Sequence, residues 1–393
     1  SKAKSSAQAA SVLVYFGTAP VNLIRGYATA GIVNKPVKLQ NMLDVQNKVG
    51  YASDWATFTL CEAFKQHFVN SVQNAGPIYI VNVLDPATHR KAEQTTASLT
   101  FSNGYAEITS NTIILDTFAI SSKTEGTDYS ISYDFASGKV KIKDITGLAS
   151  PVSASFYEID TASLDEDTVI GTATDGVYTG IQALYLLYMQ ENAIANILAA
   201  PGWSHIPDVY TALVAAAQKI NGHWDAFVLA DIPLADGETA VDTIAKAITW
   251  KAANGYTSER SKVCWPEVKD ASGNIYHLST VCAAAMLAVD ITHKSIPMES
   301  PSNKEIMATM QYFGASATNQ GFDQNDANGL NEKGITTAVF WGGRWVLWGP
   351  HTAAYIYGAS GDARAVFDVS MRMLMHVTNG FQQRHGTDID APM

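Results

Sequence analysis

The amino-acid sequence predicts an α/β protein with a doubly wound, mainly parallel sheet and a small antiparallel β domain inserted into it. The sheet is predicted because buried-strand runs alternate with helical apolar stripes over residues 11–86 and again over 177–265. The insertion is predicted because the stretch between them shows period-two alternation and many Ser, Thr and Gly residues. We therefore expect a discontinuous core, 1–87 with 168–393, interrupted by a β domain at 88–167.

The first α/β segment contains two predicted strands and one predicted helix. Ser11 to Phe16 and Ile78 to Val83 are short apolar runs typical of buried parallel strands. Between them, Trp55 to Val72 is predicted to be helical, and Gly76-Pro77 is expected to end it. The helix prediction rests on an apolar stripe at three- and four-residue spacing, formed by Cys61, Phe64, Phe68 and Val72.

The inserted segment is predicted to contain strands and no helix. Tyr129 to Phe135 alternates apolar and polar residues, and Val140 to Ile142 alternates again after the turn Ala136-Ser137-Gly138. Two alternating runs joined by a short Gly-containing turn predict a hairpin. Further strands are expected at Leu99–Phe101, Tyr105–Ile108, Thr112–Leu115 and Val152–Tyr157.

The second α/β segment repeats the strand and helix alternation. A helix is predicted from Thr179 to Gln190, and a second one after Ser204, whose hydroxyl we expect to cap it. The strands predicted around these helices are Ile194–Ala200, Trp224–Ala230 and Lys262–Trp265.

The last third of the sequence predicts a polar loop, a hairpin and a long helix. The loop covers 314–331, and the hairpin is indicated by Gly342-Gly343 between two strand-like runs, which would pair Phe340 with Trp345. At least half of the aromatic residues around this hairpin are expected in the core. The long helix is predicted because one face is traced by Ala363, Val366, Phe367, Ser370, Leu374, Val377 and Phe381.

Composition excludes several classes of function. The chain has 393 residues, of which 47% are hydrophobic and only 16% charged, and its net charge of −11 argues against binding to polyanionic nucleic acid. No stretch is long and apolar enough to predict insertion into a membrane. Cys61, Cys264 and Cys282 lie far apart without a metal-binding spacing, and we expect them to behave as small core residues.

No sequence motif predicts catalysis, a metal or another cofactor. His385-Gly386-Thr387 resembles the histidine motif of subtilisin-type proteases, but no serine follows it, and Asp231 lacks the residues expected after a catalytic aspartate. The pair Ser204-His205 lacks the following glycine of a nucleophile elbow. We find no zinc-binding spacing and no phosphate-binding glycine motif.

Eight short segments, in this order, resemble the contractile phage tail sheath family. They are Gly17–Pro20 after the first strand, Gly126–Tyr129, Thr179–Gly180, Ile197–Gly202, Asp231–Pro233, Leu330–Thr337, Leu347–Gly349 and Asp388–Met393. The positions that carry most of the resemblance are Gly17, Pro20, Pro201, Gly202, Leu330, Asn331, Gly334 and Thr337.

The resemblance implies a structural subunit without a cofactor. Such a subunit polymerises around an inner tail tube and contracts by rigid-body rearrangement, which drives the tube through a cell envelope. The implied partners are other copies of the chain, the inner tube protein, and baseplate and tail terminator proteins. The implied place is the virion tail sheath, assembled in the host bacterial cytoplasm, and a related bacteriocin particle is equally compatible. The family's N-terminal arm, C-terminal domain and second arm are missing here, so the resemblance predicts a core fragment.

The final helix carries a second stripe with two alternative interpretations. Arg364, Asp368, Arg372 and His376 lie four residues apart, and form either a solvated face with weak ion pairs or a contact line to the tube or a neighbouring subunit. Two other functional classes stay open: an α/β serine hydrolase or protease with a β insertion, and a monomeric binding module.

Overall fold

The computed structural model describes residues 11–70, 72, 74–359 and 366–389, with side chains in the last helix described as far as residue 383. Its strands are β1 Leu13–Gly17, β2 Pro36–Leu39, β3 Ile78–Asn82, β4 Thr95–Leu99, β5 Tyr105–Ile108, β6 Ala119–Ile120, β7 Tyr129–Asp134, β8 Lys139–Asp144, β9 Val152–Phe156, β10 Ala173–Thr174, β11 Val177–Tyr178, β12 Ile197–Ala199, β13 Phe227–Asp231, β14 Ala235–Asp236, β15 Thr239–Ala240, β16 Ser261–Cys264, β17 Glu267–Lys269, β18 Ile275–Tyr276, β19 Met310–Tyr312, β20 Ile335–Trp341 and β21 Arg344–Trp348. Its α-helices are α1 Tyr27–Ala30, α2 Met42–Lys48, α3 Leu60–Phe68, α4 Glu166–Ile170, α5 Leu186–Glu191, α6 Pro207–Ala216, α7 Ile244–Ala253, α8 Leu278–Thr292, α9 Gln324–Asn331 and α10 Asp368–Ile389.

The central element is an eight-stranded sheet in the order β2-β3-β1-β12-β13-β16-β20-β21. The six inner strands are parallel, whereas β2 and β21 pair antiparallel at the two edges. The α/β class and the mainly parallel sheet are therefore confirmed. The Gly-Gly hairpin is confirmed as well, with Phe340 opposite Trp345 and Val339 opposite Val346.

Separate hydrophobic cores cover the two faces of this sheet. Side chains alternate along β1, so Leu13 and Tyr15 join the core that contains α3 and α8. Val14 and Phe16 point the other way and pack with α5 and α6. All four side chains are fully buried. This continuous burial explains why the strand reads as an unbroken apolar run and not as an alternating one.

Two three-stranded antiparallel sheets lie within residues 95–156, in the orders β4-β9-β6 and β5-β8-β7. The hairpin predicted there is confirmed, because Tyr133 pairs with Val140 and Ile131 with Ile142. The strand predicted at Thr112–Leu115 is wrong: a single bridge from Ile113 to Glu158 is followed by a short 3-10 helix. The division into a core and an independent domain at 88–167 stays a prediction.

Several predicted helix bounds are wrong for identifiable reasons. The helix predicted from Trp55 begins at Leu60, because Thr18 binds the backbone and side chain of the preceding loop through Thr57 and Thr59. Val72 lies outside that helix and is 40% exposed. The helix predicted from Thr179 starts as a 3-10 helix over Gly180–Tyr185.

The polar loop predicted at 314–331 contains α9. Its N-cap is Asp323, whose carboxylate accepts hydrogen bonds from the backbone N–H groups of Asn325 and Asp326. The sequence does not predict this helix because it has no apolar stripe: only Ala327 and Leu330 of its eight residues are buried.

All three cysteines are buried, as expected for small core residues. Within the described ranges, none of the helices combines the length and hydropathy that a membrane span requires.

Candidate interaction surfaces

The long helix α10 faces the protein core with its charged side chains. The carboxylate of Asp368 lies 2.8 Å from the ammonium group of Lys262, and both side chains are fully buried. One turn further along, the guanidinium group of Arg372 pairs with the buried carboxylate of Asp290 on α8. These contacts connect α10 to strand β16 and to helix α8, so the orientation of α10 about its own axis is fixed.

Uncharged contacts continue the same buried face. Met371 and Met375 are 4% and 5% exposed and join the core on this side of the sheet. The side-chain amide of Asn379 donates to the backbone carbonyl of Asp225 at 2.8 Å, and its oxygen accepts from the Asp225 N–H at 2.9 Å. The buried face therefore runs along α10 for at least three turns.

The apolar stripe of α10 faces outward, and its first predicted residue, Ala363, lies outside the described residues. Phe367, just before α10, is 39% exposed, and in the helix Leu374, Val377 and Phe381 are 42%, 61% and 55% exposed. Their spacing of seven, three and four residues is that of an a/d seam, which normally packs against another helix. Ion pairs to distant residues, and not apolarity, decide which face of α10 is buried.

The predicted stripe of Arg364, Asp368, Arg372 and His376 is also corrected. Asp368 and Arg372 form neither a solvated face nor an exposed contact line, because both are buried against this chain's own core. His376 is half-buried beside Arg372 in a small surface pocket, and burial lowers its pKa. A contact role for His376 stays a prediction, and Arg364 lies outside the described residues.

Two of the signature positions adjoin the hairpin β20–β21, and both have a structural role. Gly334 has a φ of +67°, and a Cβ atom there would lie 2.7 Å from the carbonyl oxygen of Thr352. In the orientation that satisfies its polar atoms, the Asn331 amide donates to the carbonyls of Ile335 at 2.8 Å and Trp348 at 3.0 Å. Asn331 thus connects β20 with the edge strand β21.

Leu330 and Thr337 complete this signature segment, and both side chains are fully buried. Of the hairpin aromatics, Trp345 and Trp348 are half-buried, whereas Phe340 and Trp341 are 57% and 47% exposed. Two of the four therefore pack against a core and none is fully buried, so the expectation that at least half of them lie in the core is met only in part.

The glycines of the first and fourth signature segments meet at one residue, Thr59. A Cβ atom on Gly17 would lie 2.4 Å from the Thr59 hydroxyl, and one on Gly202 would lie 2.8 Å from its methyl group. Both positions therefore require glycine on steric grounds. The prolines of these segments, Pro20 and Pro201, are both buried in turns that follow β1 and β12.

Ser204 is part of a buried polar network and does not cap a helix, so its predicted role is wrong. Helix α6 starts at Pro207 after Ile206, and no side chain caps it. The Ser204 hydroxyl lies 3.2 Å from the carboxylate of Asp231, which also accepts hydrogen bonds from the N–H and hydroxyl of Ser279. Ser204 is fully buried, and its hydroxyl is bonded to a carboxylate, which gives it no geometry for attack on a substrate.

A charged triad with one buried and two half-buried members lies beside this network, and sequence reasoning missed it. The ring Nδ1 of His277 lies 2.7 Å from Glu62, and its Nε2 lies 3.7 Å from Glu267. Burial opposes protonation of His277, but the Glu62 carboxylate outweighs it and raises the pKa of His277 to about 10. Burial raises the pKa of Glu267 to about 7. The triad joins α3, β17 and the start of α8, residues too far apart in sequence for any spacing motif.

In the part of the chain that the structure describes, no three His, Cys, Asp or Glu side chains are grouped so that they could hold a metal ion. His385 lies in α10, but its side chain is outside the described set.

No protein-family model matches this sequence, and no curated protein matches it significantly. Among solved structures, a sheath tail protein from Desulfitobacterium hafniense is similar over 99% of this chain and 82% of its own, with a TM-score of 0.54 and 12% identity. A sheath tail protein from Listeria innocua is similar over 98% of this chain and 80% of its own, with a TM-score of 0.47 and 12% identity.

The sheath complex of the extracellular contractile injection system PVC, in its contracted state, is similar over 99% of this chain and 72% of its own, with a TM-score of 0.48 and 12% identity. Of these likenesses, the one to the Desulfitobacterium protein exceeds a TM-score of 0.5. It establishes that this chain has the fold of a sheath tail protein along nearly its whole length.

Proposed function

We propose that this chain is the core of a structural subunit of a contractile tail sheath. The observation that carries the proposal is the fold shared with a sheath tail protein over 99% of the chain. The signature segments support it independently, because Gly17, Gly202, Asn331 and Gly334 each occupy a position that only that residue type fits well. Copies of the subunit would surround an inner tube and contract by moving as rigid bodies.

The way α10 is anchored supports a rigid subunit. Contraction by rigid-body movement needs a core whose elements keep their mutual positions while contacts between subunits change. The buried pairs Lys262–Asp368 and Arg372–Asp290 hold α10 against the sheet and against α8. No nucleotide is needed, because the energy of such a movement comes from the difference between two lattices.

The outer face of α10 is suited to contact with another macromolecule. Copies of a chain with net charge −11 repel each other, and such copies approach most easily where their surfaces carry no charge. Between Phe367 and residue 383, the charged side chains Asp368 and Arg372 are buried, which leaves an exposed face formed by apolar and uncharged polar residues apart from the half-buried His376. We propose this face as a sheath contact.

The finer expectations belong to the same proposal. We infer that the sheet is doubly wound, since α3 and α6 cover opposite faces of neighbouring parallel strands. The β insertion at 88–167 would face outward, and the chain would bind inner tube, baseplate and tail terminator proteins. Assembly would occur in the host cytoplasm, and the product would be the tail sheath. Family arms would link neighbouring subunits by strand addition.

Electron microscopy with matched variants tests the proposal. We expect the full-length protein to form helical tubes in negative stain, and Val377→Glu to prevent them. Val177→Glu is the matched control, because Val177 is 63% exposed and Val377 61%, yet Val177 lies on the short hairpin β10–β11. Tubes formed equally well by both variants would exclude α10 as a contact, whereas absence of tubes under all conditions would argue against a sheath.

A further inference from the structure

A cleft of about 540 Å³ lies between the β insertion and the α/β core. One wall is the β7–β8 turn with Tyr133 and Phe135, and the other is the loop before α3 together with Lys65 of α3. Its volume falls within the roughly 300–1,000 Å³ typical of small-ligand sites, and junctions between domains are a common place for them. The cleft is distant from the α10 surface in sequence and plays no part in the proposed sheath mechanism.

The cleft carries polar groups that have no partner within the protein. Among the described residues, the ammonium group of Lys65 and the hydroxyls of Ser53, Thr109 and Tyr133 form no hydrogen bond or ion pair. Asn111 is held in place instead, because its amide nitrogen lies 3.4 Å from the carboxylate of Asp54. The cleft thus combines open donors and acceptors with one fixed amide.

An aromatic pair forms the apolar part of the same cleft. The rings of Tyr133 and Phe135 meet edge to face, with centroids 5.1 Å apart, and both side chains are half-buried. Edge-to-face packing fixes ring orientation, so these rings offer a rigid wall.

This combination excludes two classes of ligand. A strongly anionic ligand such as a phosphate ester is disfavoured, because Lys65 is the sole charged residue among those lining the cleft. In addition, the carboxylate of Asp54 lies beside the cleft, where it contacts Asn111. A wholly apolar ligand is disfavoured because it would bury the unpaired hydroxyls and the ammonium group without hydrogen bonds. A neutral ligand with many hydroxyl groups and one flat C–H face, such as a sugar ring, meets both conditions.

We propose that this cleft binds a carbohydrate, with a neutral pyranose ring packed on Tyr133 and Phe135. Its hydroxyls would bond to Lys65 and Ser53 on the opposite wall and to Thr109 of the β insertion, which together supply donors and acceptors. The site is independent of sheath assembly, so its failure and the failure of the proposed function are separable.

Saturation-transfer NMR on the full 393-residue chain tests this proposal. The probes are glucose, galactose, N-acetylglucosamine and rhamnose, with glycerol as a polyol without a ring and methyl phosphate as an anion that carries observable protons. We expect transfer to at least one of the four sugars and none to glycerol, and calorimetry then gives the Kd of that sugar. No transfer to any of the four sugars, or transfer to methyl phosphate alone, would refute the proposal.

Variants place the sugar in the cleft. Phe135→Ala and Lys65→Gln act on opposite walls, and each should weaken binding about tenfold or more. Tyr105→Ala is the control, since Tyr105 is an exposed aromatic residue of the same β segment outside the cleft. Using two walls keeps the test valid if one variant folds poorly. Undiminished binding in both cleft variants, or an equal loss of binding in Tyr105→Ala, would overturn the assignment. Displacement of the sugar by a peptide of this chain would also count against it, because it would indicate a protein partner.

Discussion

The buried pair between Lys262 and Asp368 predicts a measurable coupling in the free energy of unfolding. Both side chains are fully buried and 2.8 Å apart. The Lys262 ammonium group also donates to the carbonyls of Gly349 at 2.7 Å and His351 at 3.0 Å. The Asp368 carboxylate has one further partner, the hydroxyl of Ser300 at 2.9 Å.

The perturbation is a double-mutant cycle of Lys262→Met, Asp368→Leu and the combined variant. Removing one member leaves the other charge buried, which costs about 3–5 kcal/mol. We expect Lys262→Met to be the more destabilising, because Asp368 then keeps one hydrogen bond while Lys262 alone would keep two. The double variant replaces two charges by apolar groups and should cost much less than the sum.

The assay is urea unfolding at neutral pH, followed by tryptophan fluorescence. We expect a coupling energy of roughly 2–3 kcal/mol between the two sites. Single losses below about 1 kcal/mol, or strict additivity in the double variant, would show that water reaches the pair and that α10 is not anchored in this way.

Three further predictions concern stability and architecture. Glu267→Gln should leave the free energy of unfolding unchanged below pH 4.5 and raise it by about 1–3 kcal/mol above pH 7. The reason is that the pKa of Glu267 is raised in the folded protein, so its ionisation destabilises the fold as the pH rises between those values. Thermal melts across this pH range measure the difference. Gly334→Ala should lower the free energy of unfolding by more than about 1 kcal/mol through backbone strain, whereas Gly329→Ala, on an open face of α9, should be neutral or stabilising. Similar melting temperatures of the two variants would contradict this. Replacing 88–167 with a short Gly/Ser bridge should leave a folded core by circular dichroism, and loss of the core would refute the domain division.

The parts of the fold that sequence reasoning predicted depend on local signals. Strand β1 is an apolar run, and Gly342-Gly343 is a turn pair that few other conformations accept. The hairpin β7–β8 was predicted because side-chain alternation and a Gly-containing turn act over fewer than 20 residues. Such signals are complete within one window of sequence.

The parts that failed depend on partners that are distant in sequence. Ser204 was assigned to the nearest helix, but its partner is Asp231, 27 residues away. The charged triad around His277 brings together residues from three elements, and Glu62 is 215 residues from His277. A single sequence carries no record of such pairs, because any carboxylate among the 37 Asp and Glu residues could have been the partner.

The orientation of α10 shows how these long-range contacts bear on function. A helix in a monomeric protein normally buries its apolar stripe and exposes its charges, because each fully buried Leu, Val or Phe side chain contributes about 1.5–3 kcal/mol. Here Leu374, Val377 and Phe381 remain exposed, while Asp368 and Arg372 are buried. Turning the helix would bury the apolar stripe but would strand Lys262 and Asp290 without their ionic partners, which costs more. The ion pairs therefore hold an apolar surface outward, which in a lattice of subunits becomes a surface for the neighbouring molecule.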